Sequence, residues 1–127
     1  FSHILSALVA YLAFALAFIL ALVFLLKKEE VVYRLMINLI YFGLVGQTLL
    51  LVTGSLWALE TWGRFWAWDP KEVWALLTYL AYATVLHFHF TAYLSKRSLA
   101  KMVAVSFVIL VFTLFGVSLG LTGLHSY

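Results

Sequence analysis

Residues 4–26 read ILSALVAYLAFALAFILALVFLL, 23 residues without a charge, a glycine or a proline. A helix rises about 1.5 Å per residue, so this stretch is long enough to cross the roughly 30 Å hydrocarbon core of a bilayer. In lipid a single span satisfies its backbone hydrogen bonds only as a helix. The stretch is therefore read as a transmembrane helix, and the pattern repeats along the chain. Further apolar stretches run from about Leu35 to Trp57, from about Val73 to Leu94 and from about Met102 to Leu124. The second is interrupted by Asn38, Gln47 and Thr48. The predicted fold class is an all-α membrane protein: a four-transmembrane-helix bundle, part of a larger bundle, with an external Trp-rich loop over about residues 56–72. Residues 1–127 are read as one transmembrane domain.

Composition agrees. The chain is 66% hydrophobic and 10% charged, whereas soluble domains are about half apolar and about a quarter charged. A small globule has too much surface to hide such an excess, so lipid must cover it. Eight basic and five acidic residues give a net charge of +3. That charge is too weak and too dispersed to indicate nucleic-acid binding. There is no cysteine. Disulfides, iron–sulfur clusters, zinc thiolate sites and covalent haem attachment through C-x-x-C-H are thereby excluded for this chain. The chain opens on Phe1 with no charged region before the first apolar stretch, which is not a signal-peptide pattern. It reads as a piece of a longer polypeptide, and partners or further segments are expected.

Lys27, Lys28, Arg34, Lys96, Arg97 and Lys101 lie around the first and third connections, whereas Arg64 and Lys71 alone lie around the second. The positive-inside rule assigns the two basic connections to the cytoplasm. Four crossings then put both chain ends on the side of the middle connection. His3, the Trp-rich loop and His125 are expected together on the external face.

The loop reads Trp62-Gly63-Arg64-Phe65-Trp66-Ala67-Trp68-Asp69-Pro70-Lys71-Glu72-Val73-Trp74. One reading is an aromatic belt, because indole rings favour the membrane interface. The other is a platform for a large flat apolar ligand such as a porphyrin or a quinone. Trp62 and Trp66 share a face if the segment is helical. Asp69, Pro70 and Glu72 fit an N-cap, a first helical residue and a capping-box partner, so helix initiation accounts for both carboxylates. Arg64 and Lys71 are either ligand carboxylate partners or lone interfacial charges.

Imidazole is a common metal and haem-iron ligand. His3 and His125 could hold one iron from both faces; alternatively they are two interfacial histidines. His87 and His89 fall in the third span, where ionisable residues are expensive and usually functional. Residues two apart point about 200° apart on a helix, so the two cannot share a face. Thr84 and Thr91 share the face of His87, which reads as an interior stripe and favours His87 as the ligand. Gly43, Gly46 and Gly54, with Gly116, Gly120 and Gly123, permit close helix packing or leave room for a ligand.

The loop resembles the WWD motif of the haem-handling superfamily. With the Pro70-Lys71-Glu72-x-Trp74 extension and the ending Gly123-Leu124-His125-Ser126-Tyr127, it is most similar to the cytochrome c synthase family of system II cytochrome c biogenesis, either CcsA/ResC or the matching half of a fused CcsBA. The resemblance covers nearly the whole chain. It implies export of haem b (iron protoporphyrin IX) to an external site. The platform would be Trp62, Gly63, Trp66, Trp68 and Asp69, with Arg64 and Lys71 as propionate partners. It implies His3 and His125 as external axial ligands and His87, in a Leu-His pair, as the ligand in transit. His89 has no counterpart in the family pattern. Implied partners are a CcsB-type subunit or fused half, an apocytochrome c bearing C-x-x-C-H, and thiol reductant proteins. The implied activity is that of part of a holocytochrome c synthase, a haem lyase. The expected location is a bacterial cytoplasmic membrane, or a thylakoid. Three alternatives remain: a system I-type protein that transfers haem to a chaperone, a cytochrome b-like electron-transfer subunit, which would need paired histidines inside the bundle, and a structural anchor with no ligand, which would leave the histidine within the third span an unexplained cost.

Overall fold

The computed structural model describes residues 2–68 and 70–116, with side chains for 5–68 and 72–115. The helices are α1 (Ser2–Lys27), α2 (Glu30–Trp62), α3 (Pro70–Thr91) and α4 (Lys96–Val111). A π-helical turn, Phe112–Gly116, continues α4. All four helices are long and apolar enough to cross a membrane, and no strand occurs among the described residues. The fold is the expected helical membrane bundle.

The boundaries depart from the apolar stretches for local reasons. At 33 residues, α2 is about 50 Å long, well beyond the hydrocarbon core. It begins before Leu35 and runs past Trp57 because nothing breaks it until Gly63. That glycine takes the left-handed conformation (φ 79°) and its N–H bonds the Leu59 carbonyl at 2.9 Å. This is the usual glycine stop of a helix. Helix α3 ends before Leu94, where Ala92 adopts φ 53°. Helix α4 starts six residues before Met102, since the Ser95 hydroxyl accepts the Ser98 N–H at 3.1 Å and caps it. The apolar windows locate what lipid must cover; caps locate the helix ends.

Each helix runs antiparallel to the next, and the four form a ring. The closest seam is α1–α2, and the least intimate of the ring's seams is α2–α3. Small residues explain the first. Ala10, Ala13, Ala17 and Ala21 form a buried stripe on α1, facing Gly43 and Gly46 of α2. A Cβ on Gly43 would fall within 3.0 Å of three Phe14 ring atoms, and one on Gly46 would lie 3.1 Å from the Ala10 backbone nitrogen. Of the two expected uses of these glycines, close packing is the one observed. The Phe14 ring crosses the bundle axis and stacks on Tyr82 of α3 at 3.8 Å, while Phe18 stacks on Phe107 of α4 at 4.6 Å. Aromatic rings therefore tie the diagonal and the α1–α4 seam.

Candidate functional site

The tryptophans gather at the end of the bundle where α2 passes into α3. The pairing of Ala10 with Gly46 and of Phe14 with Gly43 sets His3, in the first turn of α1, level with Gly54. From there α2 continues for eight residues to Trp62, about 12 Å of helix. Trp57 and Trp62 meet edge to face at 4.8 Å on this projecting segment.

From Gly63 to Trp68 the chain is not helical. Trp62 and Trp66 therefore do not share a helix face, because Gly63 turns the chain away after Trp62. Trp66 pairs with Trp68 instead, edge to face at 5.5 Å. Trp68 itself sits at φ 58°, a left-handed conformation rarely adopted by a bulky residue. Trp68 is 66% exposed, and Phe65 is exposed beside it. Arg64 is exposed. The Trp66 indole nitrogen is buried without a hydrogen-bond partner.

Glu72 fixes the loop against α3. Its carboxylate, 7% exposed, accepts the Ala67 N–H at 2.8 Å. The sequence marks Glu72 as a helix-initiating residue; the structure shows the same carboxylate reaching back five residues to hold the loop. The signal was its place three residues after a potential N-cap, read one role short. Two residues further on, Trp74 packs edge to face on Phe112 at 4.6 Å. Its carbonyl accepts the Thr78 hydroxyl at 2.9 Å and the Thr113 hydroxyl at 3.3 Å. The last described turns of α4 thus close the same end of the ring.

Of the expected external group, Trp62, Gly63, Arg64, Trp66 and Trp68 come together here. The first turn of α1, which carries His3, lies at the same end, and Lys71 lies in the first turn of α3. Asp69 and His125 fall outside the described residues.

At the opposite end the two histidines exchange their expected orientations. His89 faces α2, where its Nδ1 lies 2.8 Å from the Tyr33 hydroxyl. The Tyr33 ring, 1% exposed, also packs on Phe24 of α1 and lies under the Lys96 ammonium at 5.2 Å. Lys96 pairs with Glu30. All four helices meet in this cluster. His87 is exposed on the outer surface of the ring, as are Thr84 and Thr91. The stripe read as interior faces outward, because the 3.6-residue period tells which residues share a face but not which face is inside. Because α3 stops at Thr91, not at Leu94, both histidines fall in its last two turns. His89 was not assigned a role from sequence, and nothing in its own neighbourhood of sequence announces Tyr33.

The chemistry of the Trp-rich end suits a flat, largely apolar molecule with acidic substituents. It offers exposed rings in Trp68 and Phe65, a guanidinium in Arg64, and a loop held by Glu72. Among the described residues no three histidine, aspartate or glutamate side chains cluster to hold a bare metal ion.

The sequence matches the cytochrome c assembly protein family over residues 1–125. It is similar to the cytochrome c biogenesis protein CcsA of Prochlorococcus marinus (strain MIT 9303), 40% identical over 102 residues, 80% of this chain and 32% of that protein. CcsA of Nostoc punctiforme is 38% identical over 102 residues, 80% of this chain and 29% of the relative. CcsA of Chlamydomonas reinhardtii is 45% identical over 80 residues, 63% of this chain and 23% of the relative. The chain thus spans about a third or less of the length of these curated relatives. Matched along nearly its whole length, and built as a four-helix membrane bundle with the tryptophans at one end, the chain belongs to the cytochrome c assembly protein family, on its CcsA branch.

Proposed function

We propose that the chain serves cytochrome c biogenesis as the part that holds haem b at the external face of a membrane and presents it to apocytochrome c. The observation that carries this reading is the Trp-rich end, where the loop is pinned by the Glu72–Ala67 bond at the same end of the bundle as the turn bearing His3. The six basic residues of the first and third connections lie at the other end, which supports placing the tryptophans outside.

In this reading haem is cargo. His3 and His125 ligate the iron from its two faces. Trp62, Gly63, Trp66, Trp68 and Asp69 form the platform, and Arg64 and Lys71 pair with the propionates. His87 serves as a ligand in transit. When bound, the cargo supplies the two vinyl groups to which the cysteine thiols of a C-x-x-C-H segment add as thioethers. The chain's own residues do the positioning. Glu72 fixes the loop, the indole rings exclude water, and the two imidazoles fix the plane of the macrocycle until the apocytochrome histidine replaces one of them. No side chain is assigned proton transfer. Partners in this reading are a CcsB-type subunit or fused half, and thiol reductants that keep the apocytochrome cysteines reduced. The membrane is a bacterial cytoplasmic membrane or a thylakoid.

The test is maturation of a reporter c-type cytochrome by the full-length protein. His3→Ala and His125→Ala should abolish covalently bound haem in the reporter, and Trp68→Ala should reduce it. Normal maturation by both histidine variants would overturn the ligand assignment. Haem delivered to a chaperone in place of the apocytochrome would assign the protein to the system I type.

A further inference from the structure

We propose that the ring holds an internal water molecule between the Gln47 amide oxygen of α2 and the Tyr82 hydroxyl of α3. The inference concerns the interior of the bundle and does not rest on the haem site.

Both side chains are sealed inside the ring, Gln47 at 1% exposure and Tyr82 at 0%. The Gln47 amide nitrogen donates to the Ala75 carbonyl at 3.1 Å. The Gln47 Oε1 and the Tyr82 hydroxyl have no hydrogen-bond partner among the described residues. One is an acceptor and the other carries a proton to donate. Polar atoms buried in this way are nearly always paired, either with protein or with an ordered water. Lipid chains offer neither a donor nor an acceptor.

The two groups turn towards the same space. Ala75, Thr78 and Tyr82 recur at i, i+3 and i+7, one face of α3, and Gln47 reaches that face at Ala75. Side chains on a helix lean towards its N-terminus. Because α2 and α3 are antiparallel, Gln47 leans towards the charged end and Tyr82 towards the tryptophan end. The Phe14 ring sits against Gly43, one turn before Gln47, and stacks on Tyr82 at 3.8 Å. The levels of Gln47 and Tyr82 thus differ by about one helical turn, ~5.4 Å. A single water bridges about that distance through two hydrogen bonds of about 2.8 Å each.

The surroundings suit a water. The α2–α3 seam is the least intimate of the ring, which leaves the room that close packing would deny. The water accepts from the Tyr82 hydroxyl and donates to Gln47 Oε1. Its second proton goes to the Thr78 hydroxyl oxygen, which is buried between Ala75 and Tyr82 and donates its own proton to the Trp74 carbonyl at 2.9 Å. Three such bonds are usual for a buried water. Towards lipid, the hydroxyls of Thr48 and Tyr79 meet at 2.9 Å and close the seam at this level. The water therefore ties α2 to α3 where the two helices touch least.

Infrared difference spectroscopy of the full-length protein in membranes tests this, with ordinary water exchanged for water carrying heavy oxygen. A buried water gives a narrow O–H stretching band that moves to lower frequency after the exchange, whereas protein hydroxyls do not respond to it. The parent protein should show such a band. Tyr82→Phe keeps the ring that stacks on Phe14 and should abolish the band. Gln47→Met should shift or abolish it, and decides the matter if Tyr82→Phe fails to fold. A parent spectrum without an oxygen-sensitive band, or a band unchanged in both variants, would overturn the proposal. A shifted Gln47 amide carbonyl band in Tyr82→Phe, with no oxygen-sensitive band in the parent, would mean that the two side chains bond directly, and would overturn it equally.

Discussion

At the scale of single residues, Glu72 and Gly63 decide the shape of the tryptophan loop. Removing the Glu72 carboxylate leaves the Ala67 N–H without its acceptor, a loss of about 1–3 kcal/mol for a buried donor. Glu72→Ala should therefore loosen the loop, seen as a weaker near-ultraviolet dichroism from the Trp66–Trp68 pair, with far-ultraviolet helicity unchanged. Glu72→Gln keeps an acceptor oxygen and should lie between the two. A loop signal in Glu72→Ala identical to the parent protein would remove Glu72 from this role. Gly63 is a different case. A Cβ there meets nothing within 4 Å, so Gly63→Ala incurs only the left-handed backbone strain, about 1–2 kcal/mol. Its thermal midpoint should fall modestly, and a steric rescue elsewhere should not restore it. Tyr33→Phe leaves the His89 Nδ1 without its partner. Such bonds within membranes average about 0.6 kcal/mol, so a small loss of stability is expected.

At the scale of elements, the α1–α2 hairpin rests on the alanine stripe meeting Gly43 and Gly46. Gly46→Val pushes a branched side chain against the Ala10 backbone, which cannot step aside as a flexible side chain would. The overpacking should cost about 1–3 kcal/mol, measured as a lowered unfolding midpoint in detergent. A midpoint equal to the parent would mean that the hairpin is looser than the structure. The sequence makes the four spans legible because lipid imposes one requirement, length of apolar helix, and each stretch meets it openly. It does not make the inside of the ring legible. The period that groups Thr84, His87 and Thr91 is real, but deciding which face turns inward requires knowing the neighbours, and Tyr33 lies 56 residues from its partner His89. The helix ends followed from Gly63 and Ser95, both readable as a stop and a cap, while the apolar count pointed several residues away.

At the scale of the molecule, alternation of four antiparallel helices gathers the charged connections at one end and the tryptophans at the other. The motif around Trp62–Trp74 was readable as a candidate site because so many indoles are rare by chance. The loop's actual form was not, because it depends on the left-handed residues Gly63 and Trp68 and on a carboxylate from the following helix. The orientation predicts that a cysteine at Phe65 is labelled by a membrane-impermeant maleimide from the external side, and one at Arg97 only from the cytoplasmic side; the reverse pattern would invert the assignment.

The proposed haem site requires iron held between His3 and His125 at the tryptophan-bearing end. The most direct measurement is the optical and electron-paramagnetic spectrum of haem in the purified full-length protein carrying His3→Gly or His125→Gly, with and without added imidazole. Each variant should lose the low-spin bis-histidine signature and regain it when imidazole fills the vacated position. Spectra in both variants that match the parent protein without imidazole would contradict the account.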